Sequence, residues 1–325
     1  MATVFLDGHF LSRDDARISA FDAGFQHGVG LFETMLAVRR GRPHVLHLEA
    51  HLERLRQSAL TLGLASVMHT GALAEAVQRT ADKAAEEIQS PKLRLRLTLS
   101  GGDLNLLGRG GEGQRRHEPT LLIVAQPATE YPAEMFERGT LATLADFRAN
   151  PFDPTQGHKT LSYWPRLREL QIAAGKGAGE ALVFSVTNHL VGGCVSNAFM
   201  VRGGELLTPI ARGEEEEVAH GEQSPDTPPA RGARGAVLPS PVLPGIVRRW
   251  IMDWAIVEGI PCRQRMLSLD DVLRADEVFL TNSSWGVLPV TRLEAERIAK
   301  GEVGELTGKL VAAWSELSAI DAEGV

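Results

Sequence analysis

Apolar residues recur along this chain in two rhythms, every second position and every third or fourth, and these mark out its strands and helices. From Thr3 to Leu11 short apolar runs flank Asp7-Gly8, a pair suited to a tight turn, which predicts a β-hairpin. Residues 17–38 carry glycines at 24, 28 and 30 ahead of an apolar strand over 32–38. The glycines predict a structural loop lining a cavity, with Phe25, His27 and Phe32 projecting inward. A turn at 39–43 leads to the clearest helix, 45–64, where Leu48, Leu52, Leu55, Ala59 and Leu62 share one face and Gly63 ends the run. A second amphipathic helix is predicted over 70–88. Leucines then alternate at 93, 95, 97 and 99, which predicts a strand over 91–100 with Arg94, Arg96 and Thr98 on its other side.

After a Gly-rich loop at 107–117 and an apolar strand at 121–125, residues 127–132 read as a connection and the pattern restarts. Strands are predicted at 139–147, 178–185, 190–202, 205–209, 277–281 and 287–290, and helices at 163–175, 242–259 and 268–275. Between Arg212 and Pro239 the chain carries Glu214-Glu-Glu-Glu217 and several prolines, a composition that cannot bury a core and predicts a mobile surface excursion. The expected organisation is a small α/β domain over 1–126, a connection over 127–132, and a larger domain over 133–325 with a flexible insertion at about 211–240. A length of 325 residues suits two such domains.

The net charge of −7, without a basic block, argues against a nucleic-acid partner. Two cysteines, Cys194 and Cys262, provide neither a disulfide framework nor metal-ligand spacing, so no metal is expected. The first residues lack a basic-then-apolar leader, and no apolar run approaches the ~18–20 residues needed to span a bilayer. A cytoplasmic protein with no membrane partner is expected.

Positive charge is carried mainly by arginine; lysine occurs only at 83, 92, 159, 176, 300 and 309. Lys159 lies between a loop at 150–157 and the helix predicted from 163, close to aromatic residues. It reads either as a surface lysine or as a desolvated amine able to attack a carbonyl. Arg54 lies one turn after His51 and one before Ser58, and reads either as a solvated helix charge or as a clamp for phosphate or carboxylate. Arg94 and Arg96 face either water or a ligand anion. Pro244-Gly245 precedes a helix whose free N–H groups would seat a phosphate, and Asn282-Ser-Ser-Trp-Gly286 offers hydroxyls and further N–H groups.

The order of motifs is specific: Asp22-Ala-Gly-Phe-Gln-His-Gly28, Phe32-Glu-Thr34, His51-Leu-Glu-Arg-Leu55, Lys159-Thr-Leu-Ser-Tyr163, Ser196-Asn-Ala-Phe199, Leu243-Pro-Gly-Ile-Val-Arg248, and Thr281-Asn-Ser283 with Pro289-Val290. In this order they resemble the class IV family of pyridoxal-phosphate-dependent aminotransferases, which includes branched-chain and D-amino acid aminotransferases and aminodeoxychorismate lyase. The resemblance implies an α+β, two-domain fold with a small α/β domain and a larger pseudo-barrel α/β domain. It also implies pyridoxal 5′-phosphate as cofactor, small amino acid and 2-oxo acid substrates, and a homodimer. Lys159 would form the Schiff base with the cofactor and shuttle the substrate proton. Arg54, the backbone at Ile246 and Val247, and Ser283 would hold the phosphate. Tyr163 would bond the ring's phenolic oxygen and Asn197 would position the ring. His27, Phe32 and Arg96 would lie on the substrate side, Arg96 as a partner for a carboxylate.

Three positions depart from the family pattern. Gly192 stands where a glutamate usually pairs the ring nitrogen and strengthens the ring as an electron sink. Val29 and Val247 replace an aspartate and a threonine. Glu180 does not align as a substitute. Three readings therefore stand: transamination, pyruvate-releasing lyase chemistry, and cofactor binding with little catalysis.

Overall fold

The computed structural model describes residues 3–103, 119–215 and 238–319. The Gly-rich loop expected at 107–117 and most of the insertion expected at 211–240 lie outside the described residues. Two compact units emerge: Met1–Glu130 with His158–Tyr163 and Leu317–Val325, and Tyr131–Gly157 with Trp164–Glu316. The expected boundary kept all of 133–325 together, whereas the segment bearing Lys159 groups with the amino-terminal unit.

The first unit contains β1 (Thr3–Leu6), β2 (His9–Leu11), α1 (Ala23–His27), β3 (Gly30–Arg40), β4 (Arg42–Val45), α2 (Leu48–Thr61), α3 (Thr70–Glu87), β5 (Lys92–Ser100) and β6 (Leu121–Pro127). Its antiparallel sheet runs β2-β1-β6-β5-β3-β4. Leu93, Leu95, Leu97 and Ile123 of the sheet share one buried cluster with Leu52 and Leu55 of α2 and Val77 and Ala81 of α3. Each such leucine contributes roughly 2 kcal/mol by leaving water. The predicted helix over 45–64 starts later, because Val45 pairs with Ala37 in a hairpin and His47 adopts a left-handed φ of 53° before Leu48.

The glycine loop before β3 also differs from expectation. Asp22 caps a short helix by accepting the Gly24 N–H at 2.7 Å, and takes the Ser100 and Thr120 hydroxyls at 2.6 and 2.8 Å. Pinned at that end, α1 turns its outer face to solvent, so Phe25 and His27 are exposed and only Phe32 is buried.

The second unit contains α4 (Glu134–Glu137), β7 (Thr140–Ala149), α5 (Trp164–Gly175), β8 (Glu180–Ser185), β9 (Leu190–Gly193), β10 (Asn197–Arg202), β11 (Glu205–Thr208), α6 (Ile246–Val257), β12 (Cys262–Gln264), α7 (Leu269–Leu273), β13 (Glu277–Asn282), β14 (Gly286–Leu293), β15 (Glu296–Arg297) and α8 (Glu305–Leu317). The main sheet runs β12-β11-β10-β13-β14-β7-β8-β9, with β15 against β14. Its two edges are tied together: the N–H of Leu190, the first residue of β9, donates to the carbonyl of Leu267, just past β12, at 2.7 Å, and His189 bridges Ser268. The sheet is thereby curled into the expected pseudo-barrel. The run predicted over 190–202 is split into β9 and β10 by a turn closed by Gly193 N–H donating to Ser196 O at 2.9 Å.

Candidate active site

Lys159 is placed by backbone pairing. The start of β3 takes up the segment after His158: the Phe32 N–H donates to the Lys159 carbonyl at 2.9 Å, the Leu161 N–H donates to Gly30 O at 3.0 Å, and Thr160 bridges Leu31. On the other flank, His158 Nδ1 lies 2.9 Å from Ser58 Oγ of α2. Lys159 Nζ then lies 4.3 Å from the centre of the Phe32 ring and 5.6 Å from that of Tyr163. The two rings meet edge to face at 5.2 Å, and the Arg96 guanidinium stacks on Phe32 at 3.8 Å. Burial pushes the Lys159 amine below its ordinary pKa; Tyr163 and Glu33 oppose this, while Arg54 and Arg96 add to it. A shift in this direction makes the amine a better nucleophile.

Glu33, to which sequence reasoning gave no role, gathers the buried charge of this unit. Its carboxylate accepts Arg54 Nε and Nη2 at 2.9 and 2.6 Å and lies 2.7 Å from His51 Nδ1. Burial alone would raise the carboxyl, but the charge of Arg54 and the His51 and Arg54 hydrogen bonds hold it at about 2. Burial likewise lowers the pKa of His51, against the opposing pull of Glu33. His51, Arg54 and Ser58 share the inner face of α2 at helical spacing. The available signal was an acid inside an otherwise apolar strand, with His51 and Arg54 three residues apart on the following helix.

The second unit holds the other sequence-predicted residues. Asn197, buried at the start of β10, donates from Nδ2 to Leu243 O at 2.8 Å. A Cβ at residue 245 would fall 1.8 Å from Asn197 Oδ1, so only glycine allows this approach. Gly245 is the N-cap of α6 and offers no side-chain cap, which leaves the first N–H groups, at Ile246 and Val247, at the positive end of the helix. Ser283 sits in a turn where Asn282 Oδ1 accepts the Ser284 and Trp285 N–H groups at 2.9 and 3.0 Å. Thr281, directly opposite Asn197 in the β10–β13 register, has a buried hydroxyl with no partner among the described residues. Backbone N–H groups and hydroxyls of this kind suit a phosphate ester. Arg248 does not join them: its buried guanidinium is committed to Thr208 Oγ1, Pro209 O and both oxygens of Glu214.

Position 192, where the resemblance leads to the expectation of a glutamate, is closed to a side chain. Gly192 has φ 148°, and a Cβ there would lie 2.6 Å from Ser196 O. Glu180 spends its buried carboxylate on the Ala181 and Val195 N–H groups and the Ser196 hydroxyl, at 3.0, 3.1 and 2.9 Å. It packs against Gly193, and neighbouring strand residues point to opposite faces, so it does not stand in at 192.

Residues 30–214 and 228–293 match the family described as amino-transferase class IV. A putative branched-chain-amino-acid aminotransferase from Methanocaldococcus jannaschii is 28% identical over 308 residues, covering 94% of this chain and 93% of the relative. A D-alanine aminotransferase from Staphylococcus epidermidis is 24% identical over 316 residues, covering 95% of each. The crystal structure of 4-amino-4-deoxychorismate lyase from Pseudomonas aeruginosa superposes with a TM-score of 0.75 at 26% identity, covering 97% of this chain and 100% of that one.

Proposed function

The chain belongs to the class IV aminotransferases, a pyridoxal-phosphate-dependent family of aminotransferase and lyase enzymes, and from that membership we propose that it transfers an amino group between an amino acid and a 2-oxo acid, with Lys159 as the reactive amine. The observation that carries the proposal is the Lys159 amine itself, set beside the Phe32 and Tyr163 rings and shifted by burial below its ordinary pKa. When bound, pyridoxal 5′-phosphate supplies an aldehyde for amines and a conjugated ring that takes up the electrons released at the substrate Cα. Lys159 Nζ is the group that carries the cofactor and moves the proton at that Cα. In the first unit Arg54 offers positive charge to the phosphate, Tyr163 a hydroxyl to the ring oxygen, and Phe32 and Arg96 the substrate side. His27, exposed at the end of α1, is assigned to that side by resemblance alone. In the second unit Ile246, Val247 and Ser283 offer phosphate donors, and Asn197 holds the segment that leads into Ile246 and Val247.

Branched-chain and D-amino acids are the proposed donors, because relatives of both kinds align over nearly the whole chain. The test is to load the protein with pyridoxal 5′-phosphate and add L-leucine or D-alanine. Conversion of the lysine-linked visible band to the amine form by one of them supports the proposal, and an unchanged band with every amino acid tried overturns it in favour of cofactor binding without turnover. A lyase reading is favoured by the likeness of Thr281-Asn-Ser-Ser-Trp-Gly-Val-Leu-Pro-Val290 to the lyase end of the family, together with the lyase structure above. Pyruvate release from aminodeoxychorismate, without conversion by amino acids, would select it.

A further inference from the structure

Three pieces of the first unit meet at the segment that carries Lys159. β3 holds the Lys159 carbonyl through Phe32 N–H, α2 holds the preceding His158 through Ser58, and Glu33, next to Phe32, ties β3 to α2 through Arg54 and His51. Glu33 is 1% exposed and has no part in the cofactor assignments above. A carboxylate so deeply buried is destabilising unless its partners offset the lost hydration, and here they are a forked guanidinium and an imidazole.

We propose that Glu33 is a positioning residue for the reactive amine: by fixing Arg54 and His51 against β3, it sets the balance of charge that Lys159 meets. Among the described residues, the charged and titratable groups that act on Lys159 are Tyr163 on its own segment, Glu33 on β3, His51 and Arg54 on α2, and Arg96 on β5. Arg54 and Arg96 disfavour an ammonium there, and Glu33 is the carboxylate that opposes them. Removing only the negative charge leaves the guanidinium of Arg54 uncompensated, so the amine becomes a free base at lower pH. Removing only the guanidinium leaves the carboxylate, so the amine stays protonated to higher pH. Removing both returns the balance close to its starting point. The inference rests on Lys159 being the amine of the proposed function, but it can be read without cofactor.

The test follows the pH dependence of reductive methylation of Lys159 by formaldehyde and cyanoborohydride in the full, cofactor-free chain, scored by peptide mass spectrometry, because only the free base reacts. Glu33→Gln is expected to lower the midpoint by on the order of one pH unit, Arg54→Gln to raise it by a similar amount, and the double variant to restore the wild-type value. A purely structural role would lower the melting temperature and leave the midpoints together. A midpoint in folded Glu33→Gln that is unchanged or higher overturns the proposal, and so do single variants that shift in the same direction. Should Glu33→Gln fail to fold, the other two decide: Arg54→Gln raised with the double at wild type supports the proposal, and any other pattern overturns it. Failure of the wild-type protein to develop a cofactor band would count against the function alone, since these midpoints need no cofactor.

Discussion

Two residues, Glu33 as a carboxylate inside an apolar strand and Gly192 at a backbone position closed to a side chain, most separate this chain's chemistry from its sequence pattern. Glu33 has a folded pKa of about 2 against an ordinary 4.5, so its contribution to stability is complete above about 4.5 and is lost as pH falls toward 2. Denaturant melts should therefore show wild type more stable than Glu33→Gln at neutral pH, with the gap closing across that acid window; a gap constant down to pH 2 would show that the ion pair is not responsible. Gly192 behaves in the opposite sense. Placing a glutamate there would be a route to a stronger electron sink if the expected correspondence holds, but its φ of 148° and the Ser196 carbonyl 2.6 Å from a Cβ oppose it. Gly192→Glu should lose on the order of 1–3 kcal/mol in a urea melt and gain no turnover; a stable, faster variant would mean the β9 backbone yields more readily than its geometry implies. Lys159 and Arg54 could be singled out as candidates because they pair a scarce residue type or a helical spacing with a chemistry. Glu33 could not, because a single acid in a strand shows its partners only once α2 is folded against it.

At the scale of elements, periodicity located α3 and β5 closely, since a long amphipathic helix and a strict leucine alternation leave few alternatives. It misjudged the start of α2 and ran β9 and β10 together, because cross-strand pairing at Val45 and the turn at Cys194–Ser196 are tertiary facts absent from local pattern. α8 was not read at all: its start is fixed by Glu277, whose carboxylate accepts the Leu306 and Thr307 N–H groups at 3.1 and 2.7 Å from a distant strand. The turn before α6 was legible from Pro244-Gly245, but the reason for the glycine, contact with Asn197, was not. Gly245→Ala should weaken pyridoxal 5′-phosphate binding by about tenfold or more in an equilibrium titration, because a displaced Asn197 or Leu243 misdirects the first turn of α6; unchanged affinity would remove this helix from the phosphate assignment. Leu95→Ala, fully buried between α2 and the sheet, should cost about 2–5 kcal/mol in a denaturant melt without altering which lysine reacts.

For the whole molecule, cofactor binding and folding are two readings of one equilibrium. A ligand that binds only the folded chain stabilises it by about 2.7 kcal/mol at a hundredfold excess over its dissociation constant. Pyridoxal 5′-phosphate should therefore raise the melting temperature of wild type, and raise that of Lys159→Ala much less; equal shifts would mean that this amine contributes nothing to holding it. The most direct measurement is covalent: load the protein with pyridoxal 5′-phosphate, reduce with borohydride, digest, and identify the modified peptide by mass spectrometry. The pyridoxyl group is predicted on Lys159. Its appearance on Lys83, Lys92, Lys176, Lys300 or Lys309 instead, or on no lysine, would contradict the assignment from which every other role follows.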